Sequence, residues 1–244
     1  MPPISAVIIA RDEQARIAAA VASVRPWVDE VLVLDGGSVD GTIEVASRAG
    51  ARVMQHPFDG FVLQKQRATD AARHELVFSL DADERVDPLL GGALRAAAAG
   101  LTGRRVRRWN YLDGRPLRAS GWGRDWPLRF FDRRCARWTG EDPHDRVTVD
   151  GPLGPRLPGG LHHDPDRTTS AYIRGTVAHA RRASRSIAAR GRPAPWAPAG
   201  HAAAHLARKL VVNAAFLDGR RGWTVAWVGA AGVARKYRLA RELT

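Results

Sequence analysis

Across 244 residues, 45% hydrophobic and 26% charged, the chain has the apolar content to bury a sizeable core, which excludes a disordered or low-complexity protein. No apolar run approaches the ~20 residues that span a bilayer, no secretory leader is expected ahead of the first strand, and the lone Cys135 excludes an internal disulfide, which fits a cytoplasmic setting. The net charge of +13 is uneven, −4 over residues 1–100 and +17 over residues 101–244, so the basic part asks for an anionic partner (nucleic acid, membrane or phosphorylated acceptor) unless its arginines, 35 of the 38 basic residues in the chain, record composition alone.

In chain order, Ile4–Ala10 reads as a buried strand. Asp12 is placed to cap a helix with Ile17, Val21 and Val24 on its apolar face. Residues 31–34 form a second strand ending at Asp35, Gly36-Gly37-Ser38 turns the chain, and Ser38 or Asp40 caps the next helix. Residues 51–54 are a third strand, 64–72 a helix and 76–80 the fourth strand, after which Asp87-Pro88 marks another helix start. This alternation over residues 1–100 predicts an α/β fold, a mostly parallel sheet flanked by helices. Residues 101–165, rich in Trp and Arg, read as strands and loops that complete the same domain on an acceptor side. Residues 166–244 read as a helical C-terminal extension with helices over 168–192, 201–217 and 223–240, the first broken by the Pro-rich stretch at 193–198.

Chemistry concentrates at strand ends. Asp81 and Asp83, one residue apart, share a face of an extended chain just past the fourth strand. That edge of an open α/β sheet is where ligands bind, and hard oxygen ligands there suit Mg²⁺ or Mn²⁺ carrying a phosphorylated substrate. An acidic turn ahead of the Asp87-Pro88 helix would explain the same pair without a metal. Arg11-Asp12-Glu13, Asp35 to Ser38, and Gln64-Lys65-Gln66 fall at or beyond the ends of the other strands, and it is their joint placement along one edge that signals a site.

Three of these segments, Ile8-Ile9-Ala10-Arg11-Asp12-Glu13, Val33-Leu34-Asp35-Gly36-Gly37-Ser38 with Asp40-Gly41-Thr42, and Leu80-Asp81-Ala82-Asp83-Glu84-Arg85, resemble glycosyltransferase family 2, inverting enzymes of the nucleotide-diphospho-sugar transferase (GT-A type) fold. Phe58-Asp59-Gly60-Phe61, Gln64-Lys65-Gln66, Trp138-Thr139-Gly140 leading to His144-Asp145, and Leu217-Asp218-Gly219 to Trp223 are similar to its lipopolysaccharide-core β-glucosyltransferase group. The resemblance implies metal-dependent transfer of a sugar from a nucleotide-sugar donor, a UDP-sugar by preference, to a glycan or lipid-linked glycan acceptor of the cell envelope.

It also implies residue roles. Ala10, Arg11, Glu13, Asp35, Lys65, Asp81 and Ala82 are expected against the nucleotide-sugar, and Asp83 with Asp81 and His163 around Mg²⁺ or Mn²⁺. Asp145 is the expected general base. Independently of the resemblance, aromatic faces stack on sugar rings, so Trp122 and Trp126, in the loop from Gly121 to Pro127, are the expected acceptor contacts, while packing accounts for most of the tryptophans of this stretch. The chain departs from the family in two places: Pro143-His144-Asp145 stands where Val-His-Glu is common, with Glu141 and Asp142 competing for the base, and Arg11-Asp12-Glu13 stands where Asn-Glu is common. Adjacent strand residues face opposite ways, so only one of His162 and His163 can reach the site.

Two other classes fit less well. A nucleotidyltransferase would carry a Gly-rich loop after its first strand, where this chain has Ala10-Arg11-Asp12-Glu13-Gln14. A nucleic-acid-binding protein fits the charge, but the acidic rim of the first hundred residues would repel phosphate. Trp223 and Trp227, four apart and followed by Arg235, Lys236, Arg238 and Arg241, suit peripheral contact with an anionic inner membrane as well as packing on the domain.

Overall fold

Side chains that alternate along the first strands are buried on both faces, which is why these segments appear in the sequence as unbroken apolar runs. The computed structural model describes residues 1–97, 102–123, 125–141 and 145–244. The chain divides into two compact units, Met1–Arg108 with Trp126–His163, and Trp109–Asp125 with Asp164–Thr244.

In the first unit β1 (Ile4–Ala10), α1 (Ile17–Val24), β2 (Glu30–Asp35), α2 (Thr42–Arg48), β3 (Arg52–Gln55), α3 (Phe61–Asp70) and β4 (Leu76–Asp81) alternate, followed by β5 (Glu84–Val86), α4 (Pro88–Ala96) and β6 (Gly103–Arg105). The chain then passes through β7 (Arg107–Leu112) and β8 (Arg115–Pro116) and returns as β9 (Leu128–Asp132), β10 (Ala136–Thr139), β11 (Arg146–Val149) and β12 (Gly160–His163). The main sheet has the order β3-β2-β1-β4-β9-β6. Its first four strands are parallel and β9 runs antiparallel to both neighbours. Ile4, Ala6, Ile8, Val33, Phe78 and Leu80 meet α1 and α4 on one face, through Ile17, Val21, Leu90 and Leu94. Val7, Leu32, Leu34 and Val77 meet α3 and Trp138 on the other. This mostly parallel sheet between helices is the expected fold class.

Register levels the strand ends. Ala10 lies opposite Asp35, and Ile9 opposite Asp81, so β1, β2 and β4 finish along one edge. Two details differ from what the sequence predicts. Asp12 does not cap α1; it takes a left-handed φ of 56°, and α1 begins only at Ile17 without a side-chain cap. Instead Asp12 binds the neighbouring turn: its N–H donates to Ser38 Oγ and its carboxylate accepts from Val39 N–H, both at 2.9 Å. α3 begins at Phe61, ahead of Gln64, because Gly60 at φ 122° redirects the chain there. Asp87 caps α4 as expected, accepting from Leu90 N–H at 2.7 Å.

The second unit holds the β7–β8 hairpin, turned by Asp113 and Gly114 at positive φ as a two-residue hairpin requires, and three helices, α5 (Thr169–Ala188), α6 (Ala197–Ala207) and α7 (Gly219–Glu242). Thr168 caps α5, accepting from Ala171 N–H at 3.2 Å. Leu112, Leu117 and Val225 form the core with Trp122 and Tyr172. The helix expected over 201–217 starts earlier, at Ala197-Pro198, since proline suits a first turn. It ends in a π-helical turn, Arg208–Val212, before Ala214 adopts a left-handed conformation that no α-helix continues through. Among the described residues no helix is long and apolar enough to cross a membrane.

Candidate active site

At the levelled edge of β1 and β4 a cavity of ≈ 870 Å³ opens. Ala10, Arg11 and Glu13 line it from the end of β1, and Asp81, Ala82 and Asp83 from the end of β4. Gln64 and Lys65 of α3, Arg129 of β9, and Asp145 with Arg146 at the start of β11 close the other side. Five chain segments far apart in sequence therefore converge.

Their charges interlock. Lys65 Nζ donates to Asp81 Oδ1 at 2.9 Å and to Asp145 Oδ2 at 2.8 Å. Arg129, almost wholly enclosed, donates from Nη2 to Asp81 Oδ2 at 2.5 Å and to Glu84 Oε1 at 3.2 Å. Arg108 Nη1 lies 3.5 Å from Glu84 Oε1. Glu84, fully buried, also accepts from Asp81 N–H at 3.0 Å, which clamps the turn after β4. Burial alone would raise the Asp81 carboxyl, but the charges of Arg129 and Lys65 outweigh it and hold Asp81 well below the ordinary carboxylate range. Arg129 is pushed the opposite way: burial opposes its charge, and Asp81 and Glu84 more than restore it.

Trp138 covers this network. Lys65 Nζ sits 5.0 Å from the centre of its ring, a cation–π distance. The indole N–H donates to Thr69 Oγ1 at 3.0 Å and the backbone N–H to Gln66 Oε1 at 2.9 Å, so both ends of the residue are tied to α3.

Asp83 faces His163: its Oδ1 lies 3.3 Å from the imidazole Nδ1. Of the adjacent histidines, His163 lines the cavity and His162 does not. Two donors on adjacent vertices of an octahedron with ~2.1 Å bonds stand about 3.0 Å apart, so the Asp83–His163 pair fits one edge of a divalent-cation shell. No cluster of three or more His, Cys, Asp or Glu suited to a metal occurs among the described residues. A cation held here would take its remaining ligands from a diphosphate and water, as a two-point protein site for a substrate-bound ion does.

The other expected residues sit as follows. Asp35 is fully buried and does not line the cavity. Its carboxylate accepts from Gly37 N–H and Ser38 N–H at 2.9 Å and from the Ser38 hydroxyl, which shapes the loop beside Asp12. Glu13 reaches the cavity while its N–H donates to Thr42 Oγ1 at 2.8 Å. Trp126 stands outside the lining, between Arg156 and Arg107 at 4.5 and 5.9 Å. Trp122 lies in the second unit, edge-on to Tyr172 at 5.3 Å. The tryptophan that does line the cavity is Trp138. Glu141 is exposed and away from the lining, and Asp142, Pro143 and His144 lie outside the described residues.

Arg129, Glu84 and Arg108 are the members of the network that the sequence does not single out. A signal existed for Arg129: a lone charge inside Leu128-Arg129-Phe130-Phe131 becomes buried only if it is paired.

A sequence profile of glycosyl transferase family 2 matches residues 5–149. The chain is 43% identical over 86 residues to an uncharacterized glycosyltransferase of Rickettsia felis, covering 35% of this chain and 30% of that protein. It is 31% identical over 170 residues to the lipopolysaccharide core biosynthesis glycosyltransferase LpsC of Rhizobium meliloti, covering 66% and 63%. The chain thus spans under a third of the first relative's length and under two thirds of the second's. Among solved structures, glucosyl-3-phosphoglycerate synthase from Mycobacterium tuberculosis with Mg²⁺ and uridine diphosphate matches with a TM-score of 0.37 and 28% identity, over 46% of this chain and 44% of that one.

Proposed function

The chain belongs to glycosyltransferase family 2, and we propose that it transfers a sugar from a nucleotide-diphospho-sugar, a UDP-sugar by preference, to a hydroxyl of a lipopolysaccharide-core type acceptor, with inversion. The convergence of Asp81, Asp83, His163, Lys65 and Asp145 on one cavity at the sheet edge carries this reading. The likeness to LpsC supports the acceptor class, and a lone cysteine supports a cytoplasmic setting.

In this reading Ala10, Arg11, Glu13 and Ala82 receive the nucleotide, and the diphosphate lies towards Lys65, Asp83 and His163. Asp83 and His163 would hold Mg²⁺ or Mn²⁺, and such an ion, when bound, offsets the charge that develops on the departing nucleoside diphosphate. Asp145 takes the acceptor's hydroxyl proton as the oxygen forms its bond to the anomeric carbon. The carbon–oxygen bond to the diphosphate breaks on the opposite face, so a single displacement inverts the configuration. Lys65 fixes Asp145 relative to Asp81, while Arg129 and Glu84 fix Asp81 itself. Asp35 contributes by shaping the loop next to the nucleotide.

A thermal-shift panel of nucleotide-sugars with and without divalent ions tests the donor half. A UDP-sugar is expected to raise the melting temperature more with Mg²⁺ or Mn²⁺ than without, by linkage of binding to stability. In Asp83→Asn the ion-dependent part is expected to vanish while the ion-independent part persists. An ion-dependent shift that survives in Asp83→Asn would remove Asp83 from the metal shell.

A further inference from the structure

The second unit presents an apolar surface that its own core does not use. α6 passes into the π-helical turn Arg208–Val212, and a 3₁₀ turn, Ala215–Asp218, runs directly into α7. Val211 and Val212 are 78% and 69% exposed, and Phe216 and Leu217 53% and 71%. Trp223 and Trp227, one helical turn apart near the start of α7, are exposed as well. The two turns pack on each other and on α7.

This is not a frayed segment, because its inner side is anchored. Lys209 is buried and donates to the Ser120 carbonyl at 2.6 Å. Asp218 accepts from Arg118 N–H, Ala119 N–H and Ser120 Oγ at 2.8 to 2.9 Å. Ala215 is fully buried, and Gly222 approaches it so closely that a Cβ there would stand 1.7 Å from the Ala215 carbonyl oxygen. The backbone is held from beneath, and four large apolar side chains are turned outward.

Charge indicates what covers them. Asp218 is the only acid between residues 167 and 241, and its carboxylate is engaged inward. Arg208 and Arg220, which adjoin the two turns in the chain, are exposed, as are Arg235 and Arg238 farther along α7. The whole unit carries 18 Lys+Arg against 6 Asp+Glu. Apolar side chains flanked by cations, with exposed tryptophans next to them in the chain, match the layered chemistry of an anionic bilayer face: acyl chains, then the interfacial zone, then phosphate.

We propose that this surface docks on an anionic phospholipid bilayer. Val211, Val212, Phe216 and Leu217 enter the acyl boundary, Trp223 and Trp227 lie at headgroup depth, and the arginines meet lipid phosphate. The test does not depend on which reaction the cavity performs. The full chain is sedimented with vesicles of phosphatidylcholine alone and of phosphatidylcholine with roughly one-third phosphatidylglycerol, an anionic surface. Binding is expected to the anionic vesicles, to weaken with salt, and to fall at least about tenfold in the Val211→Ser, Val212→Ser, Phe216→Ser, Leu217→Ser variant, which loses its buried apolar area. The exposed pair Arg208→Gln with Arg220→Gln, which disturbs no packing, is expected to weaken anionic-vesicle binding without moving the melting temperature. Absence of wild-type binding to anionic vesicles, or equal binding by wild type and both variants, would overturn the proposal. So would a wild-type dimer in sedimentation equilibrium that the serine variant converts to monomer, since a second copy would then be the occupant.

Discussion

Lys65 and Arg129 approach Asp81 from opposite oxygens, and each carries a second carboxylate, Asp145 and Glu84 respectively. Removing one member of such a buried set leaves the others charged and unmatched. Arg129→Met is therefore expected to destabilise the protein by about 3 kcal/mol, read from urea denaturation. The same network sets an acid limit. Because the folded Asp81 carboxyl titrates below its unfolded value, its contribution is complete above about pH 4 and is lost as pH falls through the folded value. Arg129→Met should flatten that acid slope, followed by circular dichroism between pH 5 and pH 2 (roughly the range over which a depressed carboxylate titrates). At this scale the strand-end acids Asp81 and Asp83 were legible from their spacing, but their partners were not. Asp35 follows a strand and precedes glycines just as a ligand-binding aspartate would, and only the structure shows its carboxylate engaged by Gly37 and Ser38.

The elements were largely legible because both faces of β1, β2 and β4 are buried, so each of these strands appears as an apolar run. What the runs cannot express is direction and partner: Leu128-Arg129-Phe130-Phe131 reads as a strand, yet its antiparallel place beside β4, which delivers Arg129 to Asp81, rests on contacts about fifty residues apart. Asp12 shows the same limit, since its role depends on the loop after β2 and not on its own helix. α4 offers a test of packing at this scale. A Cβ on Gly91 would stand 2.3 Å from the Trp27 ring, whereas one on Gly92 would meet nothing within 4 Å. Gly92→Ala is expected to stabilise by up to about 1 kcal/mol through helix propensity. Gly91→Ala, one residue away in the same helix, is expected to cost about 1–3 kcal/mol through overpacking. Chemical denaturation of the two variants side by side checks the pair.

Over the whole molecule the charge divides with the units: of the net +13, the unit built from residues 109–125 and 164–244 carries +12. The family match, residues 5–149, covers the segments that build the cavity except His163, while α5, α6 and α7 lie beyond it. The sequence alone exposed this asymmetry, but it could not separate a membrane-facing surface from an arginine-rich composition. The proposed bilayer contact rests on the exposure of Val211, Val212, Phe216 and Leu217 above an anchored backbone. The central claim, that the cavity transfers a sugar with Asp145 as the base, is tested most directly by assaying purified wild type and Asp145→Asn for both donor-induced thermal stabilisation and transfer to a lipopolysaccharide-core acceptor. Donor stabilisation is expected to persist in Asp145→Asn while transfer falls by about 10²–10⁴-fold; undiminished transfer in that variant would contradict it.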